Sequence, residues 1–152
     1  MDKNVEKVIR LIKVSAKEVF AELGGGWQEV VYQKAMEVAL RHRGVMYETQ
    51  RILPITFMDH VIGESIPDLV VWTQVKGKKV AIVCDLKADS GIKEEHGVQV
   101  ARYIQELKKQ IHKGEEVYSK GLLINFFKES TGKKIKDGFE DLNGVQILEI
   151  NG

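Results

Sequence analysis

Three charged residues, Asp68, Asp85 and Lys87, stand in stretches whose other side chains belong in a sheet core. Val80 to Leu86 has the length and the β-branched content of a strand buried on both faces. With a side-chain period of two, Val80, Ile82, Cys84 and Leu86 share one face, while Ala81, Val83, Asp85 and Lys87 share the other. Asp85 and Lys87 therefore point the same way. Ile66 to Trp72 is equally apolar apart from Asp68, which follows Pro67 at an irregular strand start. If these runs are antiparallel neighbours joined across residues 73–78, the two aspartates lie side by side. Carboxylates about 4 Å apart repel by a few kcal/mol at an effective dielectric near 20, and a divalent cation resolves that repulsion. A few hard oxygen ligands, without a Cys/His set, suit Mg²⁺, or Mn²⁺ in its place, keeping most of its waters for a phosphate. An Asp85–Lys87 or Asp68–Lys87 ion pair at a strand end is the ordinary explanation of an isolated D-x-K triplet. This triplet is not isolated.

The elements that must hold these residues follow from periodicity. Val5, Val8, Ile9, Ile12, Ala16, Val19, Phe20 and Leu23 recur at helical spacing, predicting an amphipathic helix from about Asn4 to Leu23 that stops at Gly24-Gly25-Gly26. A second helix runs from near Trp27 to about Arg43, with Gly44 as its cap. Glu29 falls in its first turn, where an acid favours the helix dipole by under about 1 kcal/mol, a sufficient reason for its presence if it stood alone. Strand patterns then occupy Met46 to Phe57, Val61 to Trp72 and Val80 to Lys87, with a turn at Asp59-His60 and a bulge or bend permitted at Gly63. These form a three-stranded meander. A third helix, from about Glu94 to His112, carries an apolar stripe of Val100, Ile104, Leu107 and Ile111 beside a polar one of His96, Gln99, Arg102 or Tyr103, and Glu106. An apolar strand at Gly121–Phe127, a basic loop from Lys128 to Lys136 and a short strand at Val145–Ile150 follow. The order αα-βββ-α-β-β predicts a single-domain α/β sandwich over residues 1–152, its central mixed sheet completed through a helical crossover.

Composition removes several classes of function. The chain has 152 residues, 43% hydrophobic and 30% charged, enough for a real core and unlike a disordered segment. No apolar run approaches a membrane span, and Met1 to Lys7 lacks the apolar core of a signal peptide, so a cytoplasmic protein is expected. One cysteine, Cys84, leaves no intramolecular disulfide and no thiolate metal site. His42, His60, His96 and His112 lack transition-metal spacing, and only His96 is near the polar stripe of the third helix. The net charge of +1 gives no general affinity for nucleic acid, so binding must be local. Lys76, Lys78, Lys79, Lys108, Lys109, Lys113, Lys128, Lys133, Lys134 and Lys136 are the available cations, diluted by Glu94, Glu95, Glu115 and Glu116, and read as solvated faces. Trp27 and Trp72 read as core anchors rather than base-stacking platforms.

Taken in order, the acids resemble the PD-(D/E)XK nuclease superfamily. Pro67-Asp68 looks like its P-D, and Asp85-Leu86-Lys87 looks like its (D/E)-x-K, with Asp as the acid. Glu29 sits where many members carry an acid on the preceding helix. Gln99 and Tyr103 form a Q-x-x-x-Y similar to that of RecB-type and lambda-exonuclease-like members. More narrowly, Leu23-Gly-Gly-Gly-Trp-Gln-Glu29-Val-Val-Tyr32, Ala35, Leu40, Gly44, Gln50 and Gly121-Leu-Leu-Ile-Asn125-Phe126 resemble the small GxxExxR proteins. That family usually has Glu where this chain has Asp85.

The resemblance implies a restriction-endonuclease-like fold and a Mg²⁺-dependent deoxyribonuclease, compatible with a homodimer, acting on DNA in repair, recombination or end processing. It implies that Asp68, Asp85, the Leu86 carbonyl and Glu29, directly or through water, hold the metal. Lys87 would position or activate the attacking water, and Gln99 and Tyr103 would orient Lys87 or touch the DNA backbone. Asp89 is then a spare ligand or, preferably, a loop acid. A Holliday-junction resolvase, a DNA-binding module that does not cut and a small interaction protein stay open as alternatives.

Overall fold

The computed structural model describes residues 2–127 and 144–152, with Glu140 and Asp141 described by backbone only. The basic loop, with Lys128, Lys133, Lys134 and Lys136, lies outside the described residues. Helix α1 spans Lys3–Leu23 and α2 spans Glu29–His42. The Asp2 carboxylate accepts from Asn4 N–H at 2.7 Å to cap α1, and the helix ends where Gly24 takes φ of 70°, a conformation that favours glycine. Strands β1 (Met46–Glu48), β2 (Leu53–Phe57), β3 (His60–Ser65), β4 (Leu69–Val75) and β5 (Lys78–Lys87) follow. Helix α3 (Glu94–Lys108) then leads to β6 (Glu115–Val117), β7 (Lys120–Phe126), β8 (Glu140–Asp141) and β9 (Val145–Asn151).

A central mixed sheet runs β1-β4-β5-β7-β9-β8, with β6 alongside the start of β5. Pairings of β5 with β6 and β7 are parallel, and the others in this sheet are antiparallel. The expected alternation along β5 separates two cores. Val80, Ile82, Cys84 and Leu86 pack with α1 and α2, while Ala81 and Val83 pack with Val100, Tyr103, Ile104 and Leu107 of α3. Burying both faces of one strand explains its nearly continuous apolar run. At Gly121 the helix approaches so closely that an added Cβ would lie 2.5 Å from Val100 Cγ1 and 3.2 Å from the Val83 carbonyl oxygen. Only glycine fits there.

The predicted meander is corrected by this topology. Met46 to Phe57 is not one strand, because Gln50 takes φ of 56° and breaks it. The short β1 pairs with β4, whereas β2 and β3 form a separate two-stranded sheet inserted between them. Its turn is Met58-Asp59, both at positive φ, one residue earlier than expected. The register slips between Ile55 and Thr56, opposite Val61 to Gly63, so a bulge does fall beside Gly63. The loop expected over residues 73–78 is the two-residue turn Lys76-Gly77, also at positive φ. Helix α3 stops at Lys108 instead of His112, and α2 starts at Glu29 instead of Trp27. Strands β6 and β8 were not expected, being short and charged.

Candidate nuclease active site

Leu69 pairs with Cys84, so one step outward Asp68 stands opposite Asp85, the first just before β4 and the second near the end of β5. The strands thus bring the two acids together. Asp68 Oδ2 accepts from Leu86 N–H at 2.7 Å, and the Asp85 carboxyl group lies close enough to disfavour ionisation of Asp68. Gln33 Nε2 of α2 donates to the Asp68 carbonyl at 3.2 Å, anchoring the strand start. Burial first, and then Asp85, push the Asp68 pKa up to about 8, against relief from Leu86 N–H and Lys87. A second acid this close makes ionisation of Asp68 costlier.

Lys87 lies on the same face of β5 as Asp85, its Nζ 3.2 Å from Asp85 Oδ2. It also donates to Gln99 Oε1 at 3.3 Å, so α3 reaches across to hold the ammonium group. Burial alone would lower the Lys87 pKa, but Asp85, Glu29 and Asp68 together outweigh it and the net shift is upward. Tyr103, one turn beyond Gln99, is 5% exposed and packs in the α3 core. Burial, with the Asp85 and Asp68 charges behind it, raises its hydroxyl pKa. Glu29 opens α2 at the rim, with no direct bond to the others. Partial desolvation raises its pKa, and it senses Lys87, Asp85, Asp89 and His96.

Whether a cation suits this place is answered by Asp85. Asp85 is 2% exposed, and its Oδ2 is a buried oxygen without a hydrogen-bond partner, held by the ion pair with Lys87 at 3.2 Å. An ionisable oxygen left unsatisfied beside a second acid is expensive unless a positive ligand completes it. No three His, Cys, Asp or Glu side chains converge into a ready-made cage among the described residues. Two carboxylates at one edge match a cation that is bound through few protein ligands.

The family model of the PD-(D/E)XK nuclease superfamily matches residues 6–137. The chain belongs to that superfamily. No match was found among curated proteins or among solved structures. PD-(D/E)XK proteins are nucleases that act on nucleic acid and generally use divalent metals, and the mixed sheet flanked by helices is consistent with their restriction-endonuclease-like fold.

Several residues around this candidate site are not among those expected from the sequence. Asn125, fully buried on β7 beside Lys87, accepts from Asp89 N–H at 2.9 Å and donates to the Asp89 carbonyl at 3.1 Å. Its Nδ2 also donates to Gln146 Oε1 at 3.3 Å. The chain leaving β5 is therefore clamped, and Asp89 is more than a free loop acid. The Asp89 carboxylate lies 3.9 Å from His96 Nε2, while His96 Nδ1 accepts from Lys93 N–H at 3.1 Å at the start of α3. A polar residue inside an apolar strand was the available signal for Asn125, and spacing of four from Glu29 was the signal for Gln33. Trp27 corrects the core reading outright: it is 51% exposed. Trp72 is half-buried against the α3 core. Among the described residues no helix is long and apolar enough to cross a membrane.

Proposed function

We propose that this protein is a Mg²⁺-dependent deoxyribonuclease, one domain over residues 1–152, that hydrolyses DNA phosphodiesters by in-line attack of water. The observation that carries this reading is the pairing of Asp68 with Asp85, whose buried Oδ2 has no hydrogen-bond partner and is ion-paired with Lys87 at 3.2 Å. Asp68, Asp85 and the Leu86 carbonyl hold the cation, with Glu29 reaching it directly or through water. The bound ion supplies Lewis-acid charge stabilisation to the scissile phosphate. Lys87 positions the attacking water and neutralises charge developing on the phosphoryl oxygens. Gln99 keeps the Lys87 ammonium aimed at the site, and Tyr103 supports that arrangement from the core. The Q-x-x-x-Y of α3 and the glycine-rich entry to α2 support placement near the GxxExxR proteins, with a RecB-like helix.

The test uses labelled single-stranded, duplex and four-way-junction DNA with Mg²⁺, Mn²⁺ or EDTA, beside Asp68→Ala and Asp85→Ala. Metal-dependent cleavage lost in both variants, with circular dichroism unchanged, is the expected result. Cleavage retained in either would sink the reading. Preference for the four-way junction would mark a resolvase.

A further inference from the structure

The exposed Trp27 is the feature that the catalytic set leaves unused. We propose that its indole ring is a stacking platform for one unpaired base, so that the site takes single-stranded or locally opened DNA. This rests on the deoxyribonuclease reading and specifies its substrate.

Three observations carry it. First, Trp27 is 51% exposed although its one polar atom is already satisfied, Nε1 donating to the Leu23 carbonyl at 2.8 Å. What it offers solvent is an aromatic face rather than a hydrogen bond. Second, the residue is held from behind. Its backbone N–H donates to Tyr32 Oη at 3.4 Å, and Tyr32 Oη donates to the Gly24 carbonyl at 2.6 Å. Tyr32 is itself fully buried and stacks on Phe126, with centroids 4.4 Å apart and planes 4° from parallel. A ring fixed at both ends loses little freedom on binding, which favours a platform over a mobile surface side chain. Third, Trp27 precedes Glu29 by two residues, a span of at most about 7 Å between α-carbons. Gln33, one turn beyond Glu29 on the same side of α2, donates to the Asp68 carbonyl at 3.2 Å, so the start of α2, with Trp27 just ahead of it, is packed toward the strand end that carries the proposed catalytic acids. A base seated on Trp27 would belong to a nucleotide adjoining the scissile phosphate. Stacking requires an exposed base face, which an intact duplex does not present, and it tolerates any base identity.

The experiment uses the full chain in a Trp72→Phe background, in EDTA, with a single-stranded oligothymidylate and a duplex of equal length. Quenching of the remaining Trp27 fluorescence by the single strand is expected. Trp27→Leu should weaken single-strand binding about 5- to 150-fold, the range one stacked base contributes, while changing duplex binding less than about twofold. Trp27→Phe, which keeps a ring but loses the Leu23 bond, should restore most of the affinity. Equal weakening on both substrates, or single-strand affinity unchanged in Trp27→Leu, overturns the platform. Cleavage by the wild type under Mg²⁺, lost in Asp85→Ala, keeps the nuclease reading intact in that case. Neither binding nor cleavage of any DNA by the wild type overturns the nuclease reading, and the platform falls with it.

Discussion

The ends of β4 and β5 and the β2–β3 hairpin invert the usual distribution of polarity in opposite senses. At the strand ends Asp85, 2% exposed, and its neighbour Asp68 are acids held inside. On and beside the hairpin, Ile52, Ile55, Phe57, Met58, Val61, Ile62 and Ile66 are apolar side chains held outside, from 40% to 77% exposed. The first inversion is enforced: neighbouring strands, the Leu86 N–H and the Gln33 amide fix the acids where water is scarce. The second is merely permitted, because the two-stranded sheet stands apart from the central one and, of its strand residues, only Leu53 is buried, against α3. Buried charge therefore marks where the fold spends stability, and exposed apolar surface marks where it gains little.

That contrast can be broken or sharpened by substitution. The largest effect is expected at Asp85. Asp85→Asn should reduce metal-dependent cleavage by at least about 10³-fold, some 4 kcal/mol of barrier. It should also remove the part of the upward shift at Asp68 that Asp85 contributes and leave the part that burial causes, which NMR titration of the carboxyl carbon would read.

Next comes the pH dependence of the metal-free fold. The Asp68 pKa is raised from 3.8 to about 8, so the folded chain holds this proton more tightly than the unfolded chain. The associated stability is full below about pH 4 and is lost as pH rises through about 8, on the order of a few kcal/mol. Urea unfolding in EDTA should show this decline in the wild type and a flatter profile in Asp68→Asn. Added Mg²⁺ should restore most stability at pH 8.

A smaller effect is expected at Gln99, whose contact with Lys87 is indirect to the chemistry. Gln99→Ala should lower kcat about tenfold, or 1.4 kcal/mol, with little change in thermal midpoint. Least of all should happen at the hairpin. Phe57→Ser is expected to alter stability by no more than about 0.5 kcal/mol in urea unfolding, since its ring is 63% exposed. A loss above about 2 kcal/mol there would erase the distinction between enforced and permitted inversions.

Much of the site was legible because the sheet writes itself into sequence. The period of two put Asp85 and Lys87 on one face, and the short link between two apolar runs put Asp68 opposite Asp85. Helix periodicity likewise gave α1, and it gave α3 well enough to bring Gln99 toward Lys87. What failed depended on tertiary choices. The left-handed backbone at Gln50 that detaches the hairpin has no signature in a residue that usually prefers other conformations. Three-residue β6 follows a parallel partner set by the crossover, not its own Glu-rich sequence. Asn125 looked like one member of a motif; its clamp on Asp89 exists only once β7 lies beside β5. Trp27 was misplaced because large aromatics usually bury themselves, and the Gly24–Gly26 turn holds this one at the surface.

The clamp around Asn125 also bears on the order of folding. Asp68 meets the Leu86 amide across 18 residues within a single hairpin, whereas Asn125 meets Asp89 across 36 and must wait for the crossover through α3. Doubling the loop adds only about 0.6 kcal/mol of closure entropy, but the longer contact also needs α3 docked and β7 paired. Asn125→Ala should therefore speed unfolding while leaving the refolding rate nearly unchanged in stopped-flow measurements. The acids come together early in such a sequence of events, and the loop that frames them is secured last.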